Sequence, residues 1–287
     1  MKRTRHRHSY WTTKTTIVNL FLLGVVALML YPFIVMAFGG FKTGSELATN
    51  PAGPPLQPTV HNFVNLFTGV SGALMWRSLF NSVFITTCFT ILTVLFCALA
   101  GYAFAKYKFP GKNVIFGILI ASMLVPGEVN LPILYIFFSK IGWLNTYQVQ
   151  ILPGTASVLG MFMARQFMDG IPDEVLESAR IDGAGHWRTF WQVALPMSAP
   201  VLGAIAVLMA VNKWADYLWP RVLVSDPKLK PVMVLLPQLS AGPGGTFVIY
   251  YEVLLAGALV ITLPILMVFL KFQDQLMTGT TAGALKG

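Results

Sequence analysis

The chain has 287 residues, of which 55% are hydrophobic and only 11% are charged, and its formal net charge is +9. A mean hydropathy of +0.67 lies far from that of an average soluble domain and excludes an ordinary water-soluble enzyme. The basic residues are dispersed along the chain without an aromatic and basic groove, so the positive charge does not indicate nucleic-acid binding.

Long runs with few or no charges predict helices that cross a bilayer, because a hydrocarbon core about 30 Å thick needs about 20 apolar residues of helix. Such runs occur at residues 17–38, 78–105, 114–139, 147–164, 198–219 and 253–270. The sequence therefore predicts an all-α integral membrane protein with six transmembrane helices. The transmembrane domain is predicted at residues 17–272, between an N-terminal tail at 1–16 and a C-terminal tail at 273–287.

Most Lys and Arg residues fall on one side of this topology, in both tails, in the loop after the second span and in the segment after the fourth. Cytoplasmic loops carry an excess of basic residues, so both termini are predicted to be cytoplasmic. The first run is too long for the apolar core of a signal peptide and is interpreted as an uncleaved span.

Polar residues interrupt the third and fourth spans. Glu128 and Asn130 lie in the outer half of the third, and Gln150 and Pro153-Gly154 interrupt the fourth. Discontinuous, polar membrane helices usually line a cavity, and an ionisable residue at that depth is a functional candidate.

A polar segment at residues 168–196, called the elbow below, follows the fourth span and holds five of the eleven acidic residues. Pro172 predicts the start of a short helix from about Asp173 to Ile181, and Gly183 is placed to end it. A second helical turn follows at 185–193 and is predicted to stop at Pro196. The segment is thus predicted to form two short helices joined by a glycine turn, lying across the membrane surface, and this arrangement indicates a docking site. The alternative is a solvated charged loop with an interfacial helix.

The fifth span begins with residues 199–211, an apolar run equal to about 20 Å of helix, which is too short for the hydrocarbon core. The polar residues that follow, Asn212, Lys213 and Asp216, are therefore expected at membrane depth, facing protein or water.

Residues 177–184, Glu-Ser-Ala-Arg-Ile-Asp-Gly-Ala, followed by Leu195-Pro196 and Pro200, resemble the signature loop of binding-protein-dependent ABC importer permeases. The segments 102–106, 109–112, 214–220 and 283–287 are similar to the maltose-type sugar permease subfamily. Two positions depart from the family pattern, which usually has alanine at Ser178 and asparagine at Ala215.

The resemblance implies a type I ABC importer permease fold, with a cytoplasmic coupling helix in the elbow, in the bacterial plasma membrane. It also implies a second homologous permease, two ABC ATPase subunits and an extracytoplasmic sugar-binding protein as partners. The residues implied to dock on the ATPase are Glu177, Ser178, Ala179, Asp182, Gly183 and Ala184, together with Leu285, Lys286 and Gly287 of the tail.

Hydroxyl-rich ligands are matched by carboxylate and amide partners and by aromatic faces. The predicted lining of a sugar path is Glu128, Asn130, Asn212, Trp214, Asp216 and Trp219. Two alternatives stay open: Glu128 or Asp216 pairs with a neighbouring helix, for example through Lys213, and the two tryptophans are interfacial anchors.

The sequence has no phosphate-binding loop, since its only Gly-Lys, Gly111-Lys112, precedes Asn113 instead of Ser or Thr. The four histidines lack metal-ligand spacing, and no nucleophile motif occurs, so neither a metal site nor catalysis is predicted. ATP and magnesium are expected in the partner ATPase subunits. The alternative function is a carrier driven by an ion gradient, with Glu128 and Asp216 as coupling carboxylates.

Overall fold

The computed structural model describes residues 13–68, 72–239 and 250–284, which form helices and connecting loops and contain no strand. The helices are α1 (Thr13–Gly40), α2 (Gly44–Thr49), α3 (His61–Thr68), α4 (Gly72–Lys106), α5 (Lys112–Ser122), α6 (Leu131–Lys140), α7 (Tyr147–Ile151), α8 (Val158–Asp169), α9 (Asp173–Ile181), α10 (His186–Thr189), α11 (Leu195–Met197), α12 (Ala199–Trp214), α13 (Leu218–Leu223), α14 (Val232–Leu239) and α15 (Tyr251–Ala284). The predicted all-α membrane class is confirmed.

Three helices, α1, α4 and α15, are continuous and are long and apolar enough to cross a membrane. Two bent pairs of helices meet the same criteria of length and composition. The predicted third span divides into α5 and a segment from Gly127 to Lys140 at an angle of 90°, and the helical segment His186–Met197 meets α12 at 75°. Counting each bent pair as one span gives five in the part of the chain that the structure describes.

The predicted fourth span, residues 147–164, consists of the short helix α7 and the 12-residue helix α8. Gly154 lies between them at φ +85°, where a glycine meets no steric penalty. Because α8 is only about 18 Å long, it does not reach across a hydrocarbon core by itself. The count of six spans stays a prediction.

Helix α4 lies at the centre of the fold and packs against both α8 and α12. Small residues permit the close approach of α4 and α8: a Cβ atom on Gly101 would lie 2.6 Å from the Cβ atom of Ala164, and one on Gly160 would lie 2.6 Å from the sulfur of Cys97. Small residues at such crossings are typical of membrane helix packing. The main buried cluster spans these helices and extends to Leu176 and Phe190 of the elbow.

Candidate functional site

The first half of the elbow forms as the sequence predicts. Helix α9 runs from Asp173 to Ile181 after Pro172, and Gly183 follows at φ +84°. The amides of Gly183 and Ala184 donate to the carbonyls of Arg180 and Ala179, both at 3.0 Å. This is a Schellman ending, in which glycine takes the left-handed position at no steric cost.

The second half of the elbow differs from the prediction, because the helix does not stop at Pro196. A π-helical turn, Phe190–Ala194, follows α10, and the amide of Leu195 donates to the carbonyl of Phe190, five residues earlier. The wider turn leads directly into α11, where Pro196 occupies a first-turn position that needs no N–H donor. The helix therefore continues to Met197.

The predicted docking residues of the elbow are exposed or half-buried. Glu177, Ser178, Asp182 and Gly183 are exposed, whereas Ala179 and Ala184 are half-buried. On the opposite side of α9, Leu176 is buried in the main cluster. Residues Leu285, Lys286 and Gly287 lie outside the described residues.

Sequence reasoning missed the apolar side chain of Ile181, which is 86% exposed on the elbow. The signal was the amphipathic pattern of α9, in which Ile181 falls away from the face that Leu176 buries. An exposed apolar side chain between carboxylates gives the elbow a surface that a protein partner can cover.

Polar contacts fix the elbow to the end of α4. Lys106 Nζ donates to Asp173 Oδ1 at 2.7 Å and to the carbonyl of Ile171 at 2.5 Å. The hydroxyl of Tyr107 lies 3.1 Å from Nδ1 of His186, which begins α10. The hydrogen bond from Lys106 is the main reason that the pKa of the Asp173 carboxyl lies below its usual value.

The opposite end of α4 is fixed to the loop before α14. The amide nitrogen of Asn81, a fully buried residue, donates to the carbonyls of Lys228 and Lys230 at 2.9 and 3.1 Å, and Asn81 Oδ1 accepts from the hydroxyl of Tyr147 at 2.7 Å. The backbone amide of Val232 donates to Ser82 Oγ at 2.8 Å. Helix α4 therefore carries polar contacts on both sides of its middle, buried at Asn81 and partly exposed at Lys106.

A cavity of about 650 Å³ opens beside the middle of α4, and its volume falls in the usual range for ligand sites. Four of the six residues predicted for a substrate path line it together: Asn130, Asn212, Asp216 and Trp219. Aromatic rings that the sequence did not single out complete the wall, namely Phe89, Phe138 and Trp143. The rings of Phe138 and Trp143 are stacked, with centroids 6.0 Å apart.

The other two predicted path residues lie elsewhere. Glu128 is exposed on the turn Gly127–Asn130, outside the described lining of the cavity. Trp214 is buried against α15, where its Nε1 donates to the carbonyl of Ile261 at 3.2 Å. The structure thus brings together the amides, Asp216 and Trp219, and it places Trp214 on the far side of α12.

Asp216 pairs with Lys213, the partner that one sequence alternative named, but the contact is local, three residues apart at the end of α12, and does not join a neighbouring helix. Lys213 Nζ lies 2.9 Å from Asp216 Oδ2, and the two side chains are only 11% and 15% exposed. The ammonium also lies 5.1 Å from the ring centroid of Phe89, within cation–π range. Both residues line the cavity, so the ion pair forms part of its wall.

Comparisons with known proteins agree with this fold. The family described as "Binding-protein-dependent transport system inner membrane component" matches residues 94–277. The arabinooligosaccharides transport system permease protein AraQ of Halalkalibacterium halodurans is 31% identical over 92% of this chain and 93% of its own length. The maltodextrin transport system permease protein MdxG of Bacillus subtilis is 31% identical over 93% of this chain and 95% of its own.

Among solved structures, a chain of a bacterial ABC transporter involved in the import of the acidic polysaccharide alginate is similar to this one. It superposes with a TM-score of 0.79 over 92% of this chain and 98% of that chain, at 21% sequence identity. The predicted fold of an ABC importer permease is confirmed by this likeness.

Proposed function

The chain belongs to the family of inner membrane components of binding-protein-dependent transport systems, and from that premise we propose that it is one permease subunit of an ATP-driven ABC importer for a sugar or oligosaccharide. The names of the relatives AraQ and MdxG support a carbohydrate cargo. The family match favours an importer over a carrier driven by an ion gradient.

The observation that carries the proposal is that one helix, α4, joins the exposed elbow to the polar cavity. Lys106 at its end holds α9 through Asp173, while Phe89 in its middle faces the cavity. A partner that moves the elbow therefore acts on the helix that lines the cavity. An importer needs such a connection, because its energy comes from another polypeptide.

The elbow is the surface proposed to dock on a cytoplasmic ATPase subunit. Glu177 and Asp182 offer carboxylates to a basic groove, and Ile181 offers an apolar side chain beside them. Leu285, Lys286 and Gly287 are proposed to reach the ATPase dimer as well. ATP and magnesium bind in the ATPase subunits and not in this chain.

The remaining subunits follow from the importer architecture. This chain pairs with a second homologous permease, two ATPase subunits bind on the cytoplasmic side, and an extracytoplasmic binding protein delivers the sugar. Both termini and the elbow lie on the cytoplasmic side of the bacterial plasma membrane. The excess of Lys and Arg at both ends of the chain and around the elbow supports this orientation.

The cavity is proposed as part of the sugar path. Its lining combines amides from Asn130 and Asn212 with the aromatic faces of Trp143 and Trp219. Aromatic faces bind the apolar faces of sugar rings, and amides hydrogen-bond the hydroxyl groups. Asp216 contributes an acceptor whose charge Lys213 balances.

The test of docking is a charge reversal, Glu177→Arg, in the complete complex. Co-purification of the ATPase subunits and ATP-dependent sugar uptake are both expected to fall at least about tenfold, because a lost charge pair at an interface costs several kcal/mol. The matched control is Asp169→Arg, an exposed carboxylate at the end of α8 that lies outside the docking residues 177–184, and this variant should keep both activities. Unchanged assembly and uptake in Glu177→Arg would remove the docking role.

A further inference from the structure

Gln150 has a buried amide group that is only half satisfied. The residue is 4% exposed, and its Nε2 donates to the carbonyls of Leu229 and Thr146 at 3.2 and 3.4 Å. Its Oε1 atom is also buried, yet it accepts no hydrogen bond from any described residue. A buried acceptor without a donor is costly, so this oxygen points to a missing donor group.

The side chain of Gln150 faces a small pocket. Ser82, Thr86, Lys213 and Asp216 line the same pocket, which offers about 10 Å³ to the centre of a water-sized sphere. That volume is close to the smallest that holds one water molecule or a group of the same size. Lys213 and Asp216 also line the large cavity, so the small pocket and the large cavity adjoin each other at this ion pair.

The charges around the pocket restrict what can enter it. The ammonium of Lys213 repels a cation, whereas the carboxylate of Asp216 and the Gln150 oxygen repel an anion. Lys213 uses one N–H on Asp216 and carries two more donors. A neutral O–H group fits, since it donates to Gln150 Oε1 and accepts from an ammonium donor of Lys213.

We propose that this pocket is a subsite for one hydroxyl group of the sugar that crosses the neighbouring cavity. The inference rests on the proposed function of the cavity, and it adds Gln150 as a residue that recognises one hydroxyl group of the sugar. A site built to hydrogen-bond one hydroxyl group strongly rejects an analogue without it, because the buried polar groups are then left unpaired. The subsite therefore makes the permease selective for one hydroxyl position.

The test uses the complete importer in proteoliposomes with its binding protein. The probes are arabinotriose, maltotriose and the monodeoxy analogues of whichever trisaccharide is imported faster. The measured quantity is the ratio of kcat/KM for the parent sugar to that for each analogue. Because every variant is assayed with the same binding protein, the selectivity of that protein cancels when ratios are compared between variants.

Two substitutions isolate the pocket-facing oxygen. Gln150→Met removes it, whereas Gln150→Glu keeps an oxygen acceptor, and both lose the Nε2 bonds to Thr146 and Leu229. For one deoxy analogue, Gln150→Met is expected to lower the ratio about tenfold, while Gln150→Glu keeps most of it. Co-purification with the ATPase subunits verifies folding of both variants.

An unchanged ratio in Gln150→Met would overturn the inference, since the pocket would then hold only a water molecule or nothing. Failure of the proposed function looks different. In that case the wild-type complex shows no ATP-dependent uptake of any sugar, or Asp216→Asn leaves uptake intact. A loss of uptake in Asp216→Asn with unaltered selectivity in Gln150→Met would refute the subsite alone.

Discussion

Lys106 Nζ lies 2.7 Å from Asp173 Oδ1, and this contact joins the last residue of α4 to the first residue of α9. The lysine side chain is 7% exposed, whereas the aspartate side chain is 73% exposed. A second bond from the same ammonium, to the carbonyl of Ile171, makes the lysine a clamp on the start of the elbow.

Substitution of Lys106 by methionine is expected to uncouple uptake from ATP hydrolysis. The variant keeps the apolar stem but leaves Asp173 and the Ile171 carbonyl without their donor. Sugar imported per ATP hydrolysed in proteoliposomes should fall several-fold, while the ATPase subunits still co-purify. Lys108→Met, on the exposed loop that follows α4, is the control and should leave the ratio intact. Equal ratios in both variants would contradict the clamp.

The clamp is expected to hold across the physiological pH range. The bond from Lys106 lowers the pKa of Asp173, so its stabilising effect is complete above the pKa of an unfolded carboxyl, near 4, and is lost as pH falls through the lower folded value. Hydrogen exchange of residues 171–181, corrected for intrinsic rates, should stay constant from about pH 7 to 5. Asp173→Asn should give faster exchange throughout this pH range, and faster exchange of the wild type near pH 6 would contradict the expected constancy.

The residues predicted for the sugar path should separate into two groups. Asp216→Asn is expected to lower uptake at least about tenfold, because it removes a charge from the cavity wall and leaves Lys213 unpaired. Glu128→Gln, outside the described lining, should have little effect.

Trp214→Phe should instead weaken stability by about 1 kcal/mol, through loss of the bond to the Ile261 carbonyl, without slowing uptake per assembled complex. Initial uptake rates and thermal unfolding of the purified complex distinguish the two effects. A tenfold slower uptake in Trp214→Phe at unchanged stability would place this residue in the path after all.

The contact between α4 and α8 should not tolerate even one added methyl group at Gly101. A Cβ atom there would lie 2.9 Å from the backbone nitrogen of Arg165, which cannot move as a flexible side chain can. Gly101→Ala is expected to destabilise the chain by about 1–3 kcal/mol, seen as a lower thermal unfolding temperature. Gly117→Ala on α5, where nothing lies within 4 Å, is the matched control and should be neutral or slightly stabilising.

Local signals made α9 predictable from the sequence, whereas distant contacts did not. Pro172 and Gly183 determine where that helix begins and ends without help from the rest of the fold. The bond between Lys106 and Asp173 joins residues 67 positions apart, and no pattern in either segment indicates it. Likewise, the pocket at Gln150 depends on how α4, α7 and α12 come together.

The bends explain the other differences. The run at 114–139 carries a single charge, Glu128, so its hydropathy predicts one span, yet the chain turns by 90° near Pro126. Trp214 and Asp216 are two residues apart, but α12 ends between them, so Trp214 packs against α15 whereas Asp216 lines the cavity. The sequence predicted that polar residues lie within the depth of the membrane, but it could not predict which of them face the cavity and which pack against another helix.

Asn81 and Lys106 belong to one unbroken helix of 35 residues, about 52 Å long. A continuous α-helix resists stretching, because its backbone hydrogen bonds fix the rise per residue. If a ligand at the Lys228–Val232 loop and a partner at the elbow each favour a different position of this helix, their two affinities are coupled, and that coupling is reciprocal. By whatever factor binding at one of these two places changes the affinity at the other, binding at the second changes the affinity at the first by the same factor.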